Sequence, residues 1–377
     1  MAEAAQVVVA GHICLDIIPA FTHGDGVLTP GALTEVGPAL TATGGAVANT
    51  GLALHRLGVP TALLGKLGDD PFATRVLEIL EGYDPALTRS MRRLNGETTS
   101  YTVVISPPGV DRYFLHCPGA NATFGDKDVP EDSLVGAKVL HFGYPPLMRN
   151  LQLDGGEAMH RVFTRAQSAG LATSLDMAAV DPDSETGKVD WSAWMKRVLP
   201  AIDLFVPSYD EVCFMLDREV PPLDGASLRS VSDRLLDMGA GVVLIKLGDQ
   251  GLYLRSAADS DRLSRMVRVL GLDGSNWIDK ELYAPCFVTE VVGTTGAGDC
   301  TIAGLLAALL RGESPELAVQ SAVAVGAASV EAADAVSAVP AWREVKARVK
   351  AGWASHVVKL DLPGWSKSGT GSVMTAR

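Results

Sequence analysis

Gly293-Thr294-Thr295-Gly296-Ala297-Gly298-Asp299 is the most informative stretch of this sequence. It follows residues 288–292, which read as a strand, and precedes 301–311, which read as a helix. A glycine-dense turn between a strand and a helix lets backbone N–H groups converge on an anion, and the helix dipole adds positive potential. Phosphate is the natural occupant. The pattern G-x-x-x-x-G-K-[ST] occurs nowhere in the chain, and neither does G-x-G-x-x-G, so this is not one of the two common phosphate loops. Asp299 at the helix start has two readings. It can accept the proton of a hydroxyl attacking a γ-phosphate, or it can be an N-cap closing a tight turn.

The flanking sequence supplies the architecture. Short apolar runs at 7–10, 61–64, 138–142, 172–176, 204–207 and 242–247 alternate with stretches of helical periodicity, beginning with 45–57. That alternation predicts an α/β fold with a mostly parallel sheet and crossover helices. Residues 24–43 and 98–118 break it and read as extended, the second around the turn Pro107-Pro108-Gly109. They predict a small accessory β-sheet lying as a lid over the carboxyl edge of the main sheet, where open α/β folds bind ligands. Segments 181–194 and 257–282 are polar and read as insertions, and 364–377 reads as a flexible tail.

Composition narrows the class. With 377 residues, 47% hydrophobic and 20% charged, the chain has the make-up of a folded globular protein. A net charge of -12 argues against a sequence-independent grip on nucleic acid. The longest apolar run, 301–310, falls short of the ~20 residues of a membrane span. Met1 to Gln6 lack the basic region of a secretory signal, so the expected location is cytoplasmic. The five cysteines form no C-x-x-C pair and read as buried small hydrophobes.

Two N-terminal features suggest an acceptor site. Gly44-Gly45 opens the first long helix with Asn49 one turn in, which lets a ligand approach the backbone and offers it an amide. The pair can equally be a plain turn. Asp16 stands just past the first strand, as a ligand contact or as a turn residue.

In its motifs the chain resembles the ribokinase/phosphofructokinase-B carbohydrate kinase family, in order from about Val7 to Pro340. The likeness rests on Gly11 through Asp16, on Gly44-Gly45 with Asn49, on Leu57-Gly58 through Gly65-x-x-Gly68-x-Asp70, and on Gly293 to Asp299. The resemblance implies a ribokinase-like three-layer α/β/α sandwich over residues 1–363, with lid strands from about 15–43 and 98–121. It implies an ATP-dependent kinase that phosphorylates a hydroxyl of a small sugar or sugar acid. Asp299 would be the general base, and the N–H groups of Gly296, Ala297 and Gly298 the anion hole. Asp16, Gly44, Gly45 and Asn49 would bind the acceptor. Gly248, Gly251, Thr295 and Lys246 would bind the nucleotide, although Lys246 can also be a surface salt bridge. Glu211 would organise Mg2+ through water. The Ala-rich helix at 317–330 would border the adenine, or simply pack closely. A homodimer through the lid also follows from the likeness.

Two positions depart from the family pattern. Ser208 replaces the asparagine of an Asn-x-x-Glu motif, and Gly293 replaces an aspartate that helps hold an activating monovalent cation, so strong potassium activation is not expected. Two alternatives stand beside the sugar kinase. One is a nucleoside kinase, for which Tyr101, Tyr113, Phe114, Phe142 and Tyr144 are the candidates for a base-stacking shelf. The other is a catalytically silent sugar or nucleotide sensor.

Overall fold

Val7–Gly11, Thr61–Leu64, Val139–Gly143, Ala172–Asp176, Leu204–Phe205 and Val242–Lys246 pair as parallel strands, as the alternation predicts. The computed structural model describes residues 4–21, 31, 33–107, 113–369 and 371–376. Leu252–Ser256 and Glu281–Ala284 extend the sheet antiparallel, and among the described residues the sheet has ten strands.

Successive residues of a strand point to opposite faces, and both faces are covered. Val7 and Val9 pack into one core with helices Ala46–Arg56, Ala297–Leu309 and Pro315–Ser329. Val8 and Ala10 pack into a second core with helices Glu157–Ser168, Trp191–Val198 and Gly225–Asp237. The result is a three-layer α/β/α sandwich.

The accessory sheet is present. Its strands lie in the order Gly37–Gly44, Cys14–Ala20, Tyr101–Ile105, Tyr113–Cys117. Register places Asp16 beside both Ala42 and Thr102, and Thr102 beside His116, so Asp16, Thr102 and His116 share one face. Residues 108–109 of the expected lid turn, and 24–30 of the first extended segment, lie outside the described residues.

Three expectations change. Residues 288–292 do not form a strand. Val288, Val291 and Val292 are 47%, 61% and 58% exposed, and the N–H groups of Val288 and Val292 bond to Ala354 and Val330 carbonyls instead of to a neighbouring strand. The segment 257–282 contains the helix Ser260–Leu270, pinned by Arg262 and Arg265 to buried Asp203 at 3.1 and 2.6 Å. The tail carries strands Ser366–Lys367 and Met374–Thr375, and the second pairs with Leu282 and Tyr283 at the sheet edge. Edge pairing uses backbone groups, so a polar composition does not preclude it. Among the described residues no helix is long and apolar enough to cross a membrane.

Candidate active site

Gly296 begins the helix Ala297–Leu309 at φ 72°, and a Cβ there would sit 2.4 Å from Ala335 Cβ, so both conformation and space require glycine. N–H groups in a helix's first turn lack intrahelical partners and point out along the axis. That of Ala297 turns back to the Thr294 carbonyl at 3.3 Å. Asp299 is the third helical residue and 1% exposed, so it is not an N-cap. Its Oδ2 accepts hydrogen bonds from Asn49 Nδ2 at 2.9 Å and from the Tyr144 hydroxyl at 2.8 Å. Thr50 Oγ1 donates to Oδ1 at 3.4 Å. Burial pushes the Asp299 carboxyl above the usual range, while the Asn49 amide, the Lys246 charge and the Tyr144 hydroxyl act in the opposite direction.

Lys246 ends its strand at the same sheet edge and pairs with Asp176 Oδ1 at 2.6 Å. This pair is buried, not a surface salt bridge: the two side chains are 13% and 0% exposed. A Cβ on Gly298 would lie 3.4 Å from Lys246 Nζ, which puts the ammonium beside the helix N-terminus. Burial works against its charge, yet Asp176, Glu211 and Asp299 hold the ammonium above the usual lysine range. Asp176 is raised, chiefly by burial, with Lys246 opposing. Its Oδ2 is buried and has no hydrogen-bond partner among the described residues. Glu211 Oε2 accepts the Ser208 N–H at 2.8 Å, so one of its oxygens is committed to the start of helix Tyr209–Asp217.

Mg2+ keeps most of its waters and needs only one or two carboxylates beside nucleotide phosphates. The buried, unpartnered Asp176 Oδ2, with Glu211 close enough to perturb it, fits that demand. No cluster of three metal-ligating side chains occurs among the described residues.

On the lid side the glycine pair gains a reason. A Cβ on Gly44 would sit 2.3 Å from Asp16 Oδ2, and one on Gly45, at φ 86°, would sit 2.4 Å from His12 Nδ1. Two protein side chains use the space that the glycines leave. Asp16 lies in a strand, not a turn, with Cys14 Sγ 3.3 Å from its Oδ1. Burial raises its carboxyl to about 6. His12 is buried and pushed down to about 3, hence neutral, and neither ring nitrogen has a hydrogen-bond partner among the described residues. Its ring lies 5.3 Å from that of His116 and 6.0 Å from that of Tyr144.

The nucleotide-loop candidates lie past Lys246. Gly251 adopts φ 110° with its Cβ position 2.1 Å from the Ala284 carbonyl, and the Leu247 N–H closes the turn on the Gly251 carbonyl at 2.9 Å. Gly248, at φ 59°, has nothing within 4 Å of its Cβ position. Thr295 is exposed immediately before Gly296. The structure thus gathers Asp299, the glycine turn, Asn49 and Lys246 closely, and links them through Tyr144 and His12 to Asp16, Gly44 and Gly45.

Sequence reasoning missed Thr50, His12 and Asp176, and noted Tyr144 only as an aromatic. Asp176 and Tyr144 stand at or just past the carboxyl ends of adjacent buried strands, and that position was the available signal. Of the other shelf candidates, Phe142 is buried between Phe124 and Phe163, and Tyr101 packs edge-on against Phe72. Tyr113 and Phe114 remain exposed on the lid.

Residues 4–342 match the pfkB family carbohydrate kinase profile. The chain belongs to the pfkB family of carbohydrate kinases. A 2-dehydro-3-deoxygluconokinase of Bacillus subtilis is 25% identical over 88% of this chain and 94% of its own. A nucleoside kinase of Methanothermobacter thermautotrophicus is 25% identical over 94% of this chain and 98% of its own. In fold, Arabidopsis thaliana ribokinase complexed with ribose and ATP aligns at a TM-score of 0.71 and 20% identity, covering 92% of this chain and 99% of that one. This pfkB-family kinase carries 35 residues past the matched region, 343–377, which include both of its last edge strands.

Proposed function

We propose that this carbohydrate kinase transfers the γ-phosphate of ATP to a hydroxyl of a small sugar or sugar acid, with Asp299 as the general base. The observation that carries the reading is a buried carboxylate in the first turn of a helix whose N-terminus is a glycine turn flanked by Lys246. In this reading Asp16, Gly44, Gly45 and Asn49 hold the acceptor's hydroxyls. The nucleotide lies along Gly248, Gly251 and Thr295, and the transferring phosphoryl group faces the N–H groups of Gly296 and Gly298, with that of Ala297 drawn off the Thr294 carbonyl to join them and the Lys246 ammonium alongside. Asp299 takes the proton of the attacking hydroxyl as the oxygen bonds to phosphorus, and ADP leaves with the bridging electron pair. Glu211 and Asp176 would hold magnesium, mainly through water, and the ion would neutralise charge on the β- and γ-phosphates.

The lid excludes water from the reacting groups once the acceptor is bound. Tyr113, Phe114 and Leu115 stand exposed on its edge strand, which supports pairing with the lid of a second copy. Light scattering of the purified chain tests that pairing.

A panel of pentoses, hexoses, 2-keto-3-deoxy acids and nucleosides tests the assignment through ADP release. Stimulation by a sugar or sugar acid that disappears in Asp299→Ala is the expected result. Stimulation by nucleosides alone would favour the nucleoside-kinase reading, which draws on exposed Phe114 as a stacking surface.

A further inference from the structure

A general base must be unengaged at the oxygen that takes the proton. Asp299 Oδ2 is not: Asn49 and Tyr144 each donate to it within 2.9 Å, which matches the two lone pairs of a carboxylate oxygen. The other oxygen faces Thr50, inside helix Ala46–Arg56. Asn49 donates an amide N–H, but Tyr144 donates a hydroxyl, at the distance an alcohol about to lose its proton would adopt.

We propose that Tyr144 makes this kinase distinguish an alcohol acceptor from water, its hydroxyl holding the acceptor's place on Asp299 until a bound acceptor displaces it. The inference rests on the assignment of Asp299 as the base. Water attack would need the same oxygen: Asp299 would take a proton from water, the water oxygen would bond to the γ-phosphorus, and ADP would leave with the bridging electron pair. A lone water brings no binding energy with which to break the Tyr144–Asp299 bond. An acceptor held elsewhere by Asp16 and Asn49 does.

The local backbone suits a residue held in place for a function. Tyr144 is a non-glycine residue at φ 66°, directly after a strand and directly before Pro145-Pro146. Such strain persists only where the surroundings over-determine it. The adjacent His12 ring is neutral with neither nitrogen hydrogen-bonded among the described residues, so a hydroxyl turned off Asp299 has an acceptor nearby.

The test is ADP release from ATP with no acceptor present, in the wild type, Tyr144→Phe, Asp299→Ala and the double variant. Tyr144→Phe should raise acceptor-independent release roughly tenfold, the scale of one net charge-assisted hydrogen bond. The double variant should fall to the Asp299→Ala level. Release from Tyr144→Phe at or below the wild-type rate, in protein that melts normally and binds ATP, overturns the proposal. Extra release that survives in the double variant also overturns it. Full acceptor-dependent activity in Asp299→Ala would instead sink the base assignment. As an independent check on the unaltered protein, a crystal structure with ADP and acceptor should show the Tyr144 hydroxyl beyond hydrogen-bond distance of Asp299 Oδ2. A retained bond would contradict displacement.

Discussion

In the proposed reading the phosphate side of the site is backbone: the turn before Ala297–Leu309, glycine at 296 and 298, and one lysine stem across it. On its acceptor side, in that reading, it presents side chains from three separated segments: His12 and Asp16 on the run from the first strand into the accessory sheet, Asn49 on the first helix and Tyr144 past a strand. A backbone cradle recognises a group common to every reaction of the family, and it needs a fixed conformation more than particular side chains. A side-chain cradle can change its recognition one residue at a time, which is how one fold serves many acceptors. Substitutions on the two sides should therefore fail differently.

The largest effect should come where the sides meet. Asp299→Asn removes the proposed proton acceptor but keeps the size of the side chain. The kcat should fall by about 10²–10⁴-fold with the KM for ATP little changed. In the wild type, the acid limb of kcat should lie above the usual carboxylate range because burial raises the Asp299 carboxyl. A fall of less than tenfold would place the base elsewhere.

Glycine replacements separate the sides next. Gly296→Val forces a branched residue to φ 72° and against Ala335. The left-handed backbone costs about 1–2 kcal/mol and the overpacking about 1–3 kcal/mol, so melting temperature and ATP affinity should drop together. Gly44→Ala places its methyl 2.3 Å from Asp16 Oδ2, at a glycine without a left-handed φ. It should raise the acceptor KM and leave ATP binding near normal. Loss of ATP binding in Gly44→Ala, measured by calorimetry, would dissolve the distinction.

This division also explains what could be read before the structure. The phosphate side has its chemistry in consecutive residues, so one short stretch announced it, and the strands around it followed from apolar runs of the right length. The acceptor side depends on long-range meetings. Nothing in the local pattern says that Tyr144 reaches Asp299 across 155 residues, or that Asp176 meets Lys246 across 70. Glycines at 44 and 45 looked like room for a ligand, because the Asp16 and His12 side chains that use the room arrive only through tertiary packing. The strand expected at 288–292 failed for the same reason: the valines favour a strand, but among the described residues no neighbouring strand pairs with them.

Asp16 tests the acceptor side by pH. Its carboxyl is raised from 3.8 to about 6 by burial, so the folded state holds the proton more tightly than the unfolded chain. The stability this contributes is fully present below pH ~4, is lost as pH rises from ~4 to ~6, and stays lost above. The loss amounts to up to about 3 kcal/mol. Asp16→Asn escapes it, and so should be stabilised relative to the wild type in denaturant titrations more at pH 7.5 than at pH 4.5, where only part of the loss has set in, while its acceptor KM rises. Equal stability differences at both pH values would show that Asp16 is well solvated.

Gly293 bears on the phosphate side and carries the smallest expected effect. Its Cβ position lies 2.9 Å from the carbonyl oxygens of both Ala332 and Ala333. The two carbonyls face a residue with no carboxylate, so under the proposed reading there is less local negative charge here to draw a monovalent cation. Exchanging sodium for potassium should change the wild-type rate by less than about twofold, a small electrostatic effect on the scale of an exposed pair. In Gly293→Asp the new carboxylate is forced against two carbonyl oxygens, an arrangement that a bridging cation relieves. Potassium should therefore raise the melting temperature of Gly293→Asp more than that of the wild type. Strong potassium stimulation of the wild type would mean that carbonyl oxygens alone suffice to hold the ion, and that the backbone character of this side extends to its cation.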